Sequence, residues 1–269
     1  MSTEENINDK QEVKESQHEL SFLLDTSYPL LKTFRQACPG TYKHSQTLSA
    51  MVEGVSLDLG LDVIFMKVAC MYHDIGKLYN PEYFTENILD NEDPHENLDS
   101  WMSYQIISTH VAHTTNILLN SGDFPSDLIK VVSQHHGNGV IEYFYNKSIK
   151  FSTATSTIRN KDAFRYHCTR PQSVEAAVIM IVDHMEATSR SLFQAGKLDP
   201  LQVIEQTINN LLDDGQLDEV TMKLGDLKRI KMSMASELEG TFQKRVDYAE
   251  VKNGKNEKEE DKIIEYEEK

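Results

Sequence analysis

A histidine and an aspartate stand side by side in His73-Asp74-Ile75-Gly76-Lys77, and five more potential metal ligands lie before and after them. The whole set is His44, His73, Asp74, His110, His135, His136 and Asp183, imidazoles completed by two carboxylates. Imidazole suits iron, zinc and similar transition metals, while carboxylates also suit manganese and can bridge two ions. That combination points to a hydrolase with two metal ions.

Asp183 is the hardest of these to account for otherwise. It lies in the apolar run AAVIMIVDHMEA, and burying an ionised carboxylate without a partner is strongly unfavourable. Asp74 beside His73 carries the same tension. His44 and His110 also read as ordinary, partly buried histidines, and His135 and His136 as side chains favoured at the negative end of a helix. Adjacent side chains on a helix point about 100° apart, so both reaching one ion requires a local break, which Gly137 offers. His18, His95 and His167 lie in polar surroundings and are expected at the surface. His113 and His184 neighbour the ligands in sequence but on other helical faces, positions suited to supporting them.

Helices alone can position these side chains. No stretch alternates convincingly with period two, whereas apolar residues recur at helical spacing, so the fold is expected to be all-α. Leu48, Met51, Val52 and Val55 mark one helix, with Gly60 where it would stop. Val63, Ile64, Met66, Val68, Ala69 and Met71 mark the next, which delivers His73 and Asp74 near its C-terminal end, and Gly76 then lets the chain turn. Ser103 is a suitable cap for a helix through Ile106, Ile107, His110, Val111 and Ile117. Pro125 suits a first helical turn ahead of Leu128, Ile129, Val131 and Val132, with Gly137 as the stop just past His135 and His136. Ser173 and Glu175 open the long apolar helix of Asp183. Asp199 and Pro200 begin another, and Leu224, Leu227, Ile230, Met234 and Leu238 line a last amphipathic one. Two long polar connections, residues 79–102 and 150–172, interrupt this pattern; loops of that length in a compact domain are usually functional or disordered. Tyr83, Phe84 and Trp101 favour a functional, partly packed first loop.

With 269 residues and 39% hydrophobic content, the chain can bury one large core, and a single domain over residues 21–249 is expected. Residues 1–20 and 250–269 are charge-dense and short of apolar side chains, the composition of flexible tails. A net charge of −16 argues against a nucleic-acid partner, because phosphate contacts need clustered Lys and Arg. A small anionic substrate stays compatible, since bound cations reverse the local field. Neither a run of about eighteen apolar residues nor a signal-peptide pattern occurs. Cys38, Cys70 and Cys168 make an odd number without CxxC spacing. No membrane association and a cytoplasmic location are therefore expected for this chain, with the oligomeric state left open.

Taken in order, a helical His, then His-Asp, a His, His-His and a helical Asp resemble the HD superfamily of metal-dependent phosphohydrolases. The resemblance narrows with Pro39-Gly-Thr-Tyr-Lys-His44-Ser, His73-Asp-Ile-Gly-Lys-Leu78, Pro81-Glu-Tyr-Phe-Thr-Glu-Asn87, Gln134-His-His-Gly137, Tyr143-Phe-Tyr145, Phe164-Arg-Tyr166 and Glu175-Ala-Ala…Asp183…Glu186-Ala…Ser189-Arg-Ser-Leu192. Over about residues 25 to 248 these are similar to the cytoplasmic HD domain of the seven-transmembrane HD family, whose members hydrolyse cyclic di-AMP. Three departures stand out. Lys43 occupies a position where that family often has a second histidine, and the membrane helices and extracytoplasmic domain have no counterpart in this sequence. The Gly-Tyr-Pro signature of cyclic di-GMP-specific relatives is replaced after Lys77 by Leu-Tyr-Asn-Pro, which disfavours cyclic di-GMP.

The resemblance implies an all-α HD-domain helical bundle around a dinuclear site with two divalent transition-metal ions, iron or manganese. His44, His73, Asp74 and Asp183 would hold one ion and Asp74, His110, His135 and His136 the other, with Asp74 bridging. Two ions about 3.5 to 4 Å apart can share a hydroxide and clamp a phosphoryl group. The implied activity is a phosphodiesterase opening cyclic di-AMP to pApA, with Asp74 and Lys77 as catalytic residues. Lys77 would donate to a non-bridging phosphate oxygen, although its position also suits a surface lysine. Tyr83, Phe84 and Asn87 are candidates to line a base pocket, and Arg165 and Arg190 to meet the second phosphate. The alternatives are another nucleotide phosphohydrolase, an oxygenase on the same scaffold, and a metal-stabilised nucleotide sensor without turnover.

Overall fold

Helices begin where a short polar side chain caps an apolar run. Asp62 accepts from Phe65 N at 3.0 Å, Asp99 from Met102 N at 2.7 Å, Ser173 from Ala176 N at 3.3 Å and Asp199 from Gln202 N at 3.1 Å, each satisfying a first-turn N–H that no helical carbonyl reaches. The computed structural model describes residues 20–88, 93–150 and 160–241. Their α-helices are Pro29–Ala37 (α1), Pro39–Leu59 (α2), Val63–Tyr72 (α3), Ser100–Ser108 (α4), His110–Ser121 (α5), Ser126–Val132 (α6), Glu142–Lys150 (α7), Val174–Gln194 (α8), Pro200–Asp213 (α9) and 224–241 (α10). Among the described residues the β-structure is a single antiparallel bridge between Val140 and Arg165. The all-α expectation holds.

α2 packs along α3 and α8, and α8 along α9, around the main core. Val178, Ile179, Ile181 and Val182 of α8 are fully buried, each contributing about 1.5–3 kcal/mol, which offsets the cost of taking Asp183 inside with them. A smaller cluster of Tyr104, Phe144 and Phe164 ties α4 and α7 to the segment before Tyr166.

Several local expectations are corrected. The helix expected from Ser103 through Ile117 is two helices: Asp99 caps α4, and the chain breaks at Thr109, whose hydroxyl donates to the Gln105 and Ile106 carbonyls at 3.0 and 2.9 Å. Such back-bonding competes with continued helix. α6 stops at Val132, so His135 and His136 lie in the turns beyond it, and the break precedes Gly137. Gly76 is absent from the positive-φ glycines; a Cβ there would meet His110 O at 2.0 Å and Thr114 N at 2.4 Å. Its value is therefore close approach of the 3-10 turn Ile75–Tyr79 to α5, not freedom to turn.

The described residues of the polar connection after Tyr79 form 3-10 turns at Pro81–Tyr83, Thr85–Asn87 and Pro94–Asn97, and residues 89–92 lie outside the described residues. His95, expected at the surface, is buried, with Nε2 donating to Tyr83 O at 2.8 Å. Leu20, placed in the N-terminal tail, joins the core, whereas Leu224 is 87% exposed. The rest of the two expected tails, His18 included, and residues 151–159 of the second connection lie outside the described residues. No helix among the described residues is long and apolar enough to cross a membrane.

Candidate metal centre

His44 projects from the second turn of α2 and is 4% exposed. Its Nδ1 donates to Glu186 Oε2 at 2.7 Å and its Nε2 to Asp183 Oδ1 at 2.9 Å. Both carboxylates come from α8, three residues apart and hence on one face. Three other histidines are oriented by backbone instead: Nδ1 of His73 donates to Cys70 O at 2.8 Å, that of His110 to Ile107 O at 2.6 Å and that of His135 to Val132 O at 2.7 Å. Each of these rings follows the end of a helix, where carbonyls lack helical partners. The bond fixes the tautomer and turns Nε2 inward.

Asp74 receives them. His73 Nε2 is 3.3 Å from Asp74 Oδ2 and 3.7 Å from Asp183 Oδ1, while His110 Nε2 and His135 Nε2 are 3.1 and 3.7 Å from Asp74 Oδ1. Ligand atoms of His44, His73 and Asp74 lie within 4.8 Å of one another, as do those of Asp74, His110, His135 and His136. Asp183 adjoins the first group through its contacts with His44 and His73. The seven residues singled out in the sequence are thus brought together, with Asp74 common to two groups.

The donors fit divalent cations. His73 Nε2 and Asp74 Oδ1 are buried without a hydrogen-bond partner among the described residues. His110 Nε2 and His135 Nε2 face each other at 3.4 Å, and both rings already donate through Nδ1, so two lone pairs oppose each other unless a proton or cation intervenes. Converging bare acceptors in a buried site are costly, and a divalent ion satisfies several at once.

Burial works against charge on both aspartates, yet their neighbours outweigh it. Lys77, His73 and the nearby His110 and His135 hold Asp74 well below the usual carboxylate range, and His44 and His73 do so for Asp183. For His44 burial lowers the pKa, but Asp183 and Glu186 outweigh it and raise it to about 9. Enclosure and the neighbouring imidazoles hold His136 well below 6.5.

Lys77 is not a surface lysine. Its Nζ lies 2.7 Å from both Asp74 Oδ2 and Glu86 Oε1, and 4.8 Å from the centre of the Phe84 ring. Glu86, held down to about 2 by Lys77 against the effect of burial, also accepts from Thr41 Oγ1 at 2.9 Å. Phe84 is buried beside His110, ring centres 5.8 Å apart. Tyr83 packs edge-on to His95. Asn87 spends its amide on Thr41, accepting from its N at 3.0 Å and donating to its Oγ1 at 2.8 Å, which ties the loop to the start of α2.

The two arginines differ. Arg165 is consumed within the fold by Asp214 at 3.0 and 3.1 Å, Asp162 at 2.8 Å and Asn138 O at 2.9 Å. Arg190, 26% exposed, is 3.6 Å from Glu186 and so flanks the His44 side. Of the histidines proposed as supports, His113 packs on Tyr79, and His184 donates to Met180 O with its ring edge-on to His136. Three contributors had been assigned no role: Glu186, Glu86 and Tyr166. Glu186 was findable as a buried-face carboxylate three residues after Asp183; Glu86 and Tyr166 depend on how loops fold back. A cavity of about 550 Å³ beside His136, lined also by His184, Thr188, Asn210 and Gln216, was equally invisible.

Such a helical bundle, closing two histidine groups around one aspartate, defines an HD domain. Residues 41–188 match the HD domain family, and the chain belongs to it. It is 32% identical over 229 residues to the cyclic-di-AMP phosphodiesterase PgpH of Bacillus subtilis, covering 85% of this chain and 32% of that protein. The PgpH of Listeria monocytogenes is 32% identical over 231 residues, 86% of this chain and 32% of that one. The chain therefore spans about a third of the length of these relatives. The crystal structure of the Listeria PgpH HD domain superposes with a TM-score of 0.72 at 31% identity, covering 80% of this chain and 100% of that one. Its complex with cyclic di-AMP gives 0.73 at 31%, covering 81% and 99%.

Proposed function

We propose that this domain is the catalytic unit of a cyclic-dinucleotide phosphodiesterase that opens cyclic di-AMP to linear pApA. The observation carrying the reading is one carboxylate, Asp74, shared by two histidine groups, with its Oδ1 and His73 Nε2 buried and without a hydrogen-bond partner among the described residues. The cyclic di-AMP complex of the Listeria PgpH HD domain supports the choice of substrate. With His44, His73, Asp74 and Asp183 holding one divalent ion, iron or manganese, and Asp74, His110, His135 and His136 the other, the pair supplies Lewis acidity toward a phosphodiester and lowers the pKa of a water.

Lys77 holds its ammonium beside Asp74, where negative charge grows on the phosphoryl oxygens in the transition state; fixed charge in a buried site is worth most there. Glu86 and Thr41 keep it in place. Arg190 is the candidate partner for the second phosphate, because Arg165 already has a full set of acceptors. Tyr83 and Phe84 flank the site as stacking surfaces for adenine, and Asn87 serves them by clamping their loop to Thr41.

Protein loaded with Mn²⁺ or Fe²⁺ is expected to convert cyclic di-AMP to pApA in a panel of cyclic dinucleotides and nucleotides, with Asp74→Ala and His73→Ala inactive. Full turnover by both variants, or turnover of a different nucleotide only, overturns the proposal. Tight binding of intact cyclic di-AMP with no product after long incubation makes the domain a sensor instead.

A further inference from the structure

Four of the five histidines in the centre are oriented by a hydrogen bond from Nδ1, and the fifth is not. His44 uses Glu186, and His73, His110 and His135 use backbone carbonyls. Among the described residues no hydrogen bond reaches the His136 ring. Instead it stacks on Tyr166, ring centres 4.4 Å apart and planes 21° apart, while His110 and His184 meet it edge-on at 5.1 and 6.2 Å. Tyr166 also lies perpendicular to the His110 ring, centres 6.0 Å apart and planes at 89°.

The stack is built deliberately by the chain around it. His136 opens the strap 137–141, and Tyr166 ends the segment that pairs with that strap: Tyr166 N donates to Gly139 O and Ile141 N to Phe164 O, both at 2.9 Å, flanking the Val140–Arg165 bridge. Arg165 clamps Asp214 and Asn138 O, and Gln216 closes the circuit, donating to Asn138 Oδ1 at 2.9 Å and accepting from Asn138 N at 3.2 Å. Gly137, at φ 51°, makes the turn; a Cβ there would lie 2.3 Å from Gln216 Oε1. One short pairing thus fixes both partners of the stack.

We propose that Tyr166 is the positioning residue for His136, its ring face replacing the hydrogen bond that the other four histidines receive. This rests on the metal centre proposed above. A neutral imidazole free to rotate about its side-chain torsions loses entropy when it binds an ion, and a flat ring against it removes that freedom beforehand, the service a hydrogen-bonded partner performs elsewhere. Stacking needs the aromatic face and not the phenol hydroxyl, so Tyr166→Phe retains the function and Tyr166→Leu loses it.

The test titrates Mn²⁺ alone into the metal-free full chain by calorimetry, with electron paramagnetic resonance reporting coupled against isolated ions, and needs no substrate. Wild type and Tyr166→Phe are expected to bind two ions with coupled spectra. Tyr166→Leu is expected to keep one affinity and weaken the other about 10- to 100-fold, giving isolated-ion spectra at equimolar metal. Arg165→Leu, which loosens the strap and spares the ring, is expected to weaken the same ion by a smaller factor, and it carries the test if Tyr166→Leu does not fold. Unchanged binding in Tyr166→Leu, equal losses in Tyr166→Phe and Tyr166→Leu, or equal weakening of both ions in Arg165→Leu overturns the role. A wild-type chain that binds no Mn²⁺ overturns the metal centre itself, a result separable from the others.

Discussion

The two sides of Asp74 are aligned by different means. On one, His44 and Asp183 project from the interiors of the two long helices α2 and α8, of 21 residues each. There His44 is oriented by a second carboxylate, Glu186, while His73 of the same group follows a helix end and uses Cys70 O. On the other side, His110, His135 and His136 lie where helices break, and spare carbonyls or a ring face orient them without added charge. The electrostatic result follows. His44 among carboxylates is raised to about 9, whereas His135 and His136, crowded by burial and other imidazoles, are lowered.

Removing the shared residue erases the contrast. Asp74→Ala is expected to lose both ions and about three orders of magnitude or more in turnover, several kcal/mol of transition-state stabilisation; metal content and initial rates on one sample check this. Separating the sides is the next largest effect. Glu186→Gln is expected to weaken only the His44-side ion, about 10- to 100-fold, in a Mn²⁺ titration, and equal loss of both ions would show that the sides are not independent.

Pressure on the broken-helix side comes from Gly76→Ala, whose methyl group must displace the His110 carbonyl. Overpacking of this kind costs about 1–3 kcal/mol, a fall of about 2–4 °C in Tm per kcal/mol for a domain of this size, with the His110-side ion weakened and the His44-side ion spared. The smallest effect is a pair of opposed pH slopes in the metal-free protein. His44, raised above its unfolded value of 6.5, contributes stability that is fully present below pH 6.5 and lost as pH rises through about 9. His136, depressed below 6.5, contributes stability above 6.5 that is lost as pH falls through its folded value. Urea unfolding across pH should therefore show His44→Gln removing the alkaline slope and His136→Gln the acidic one; the reverse pattern would refute the assignment.

Much of this was legible beforehand, and the misses are instructive. Asp183 was found because a carboxylate in an unbroken apolar run has few explanations, and His73-Asp74 because a strongly apolar helix leads into it. Lys77 could be nominated but not placed: its two carboxylate partners include Glu86, nine residues on in a loop without periodicity. Arg165 is a candidate phosphate partner by the family resemblance, while its acceptor Asp214, 49 residues away, is visible only in the fold. The break at Thr109 was missed because apolar spacing continues across it.

Residue order and chemical type determined by themselves the all-helical fold, the seven candidate ligands and the family, since periodicity, capping residues and ligand chemistry are local properties. Tertiary structure alone decided that Glu186 orients His44, that Glu86 brackets Lys77, and that Tyr166 lies flat on His136. These depend on distances between segments far apart in the chain, which are set by how α2, α3 and α8 pack and where loops fold back on them. No local pattern encodes such distances, because they result from close packing of the whole core.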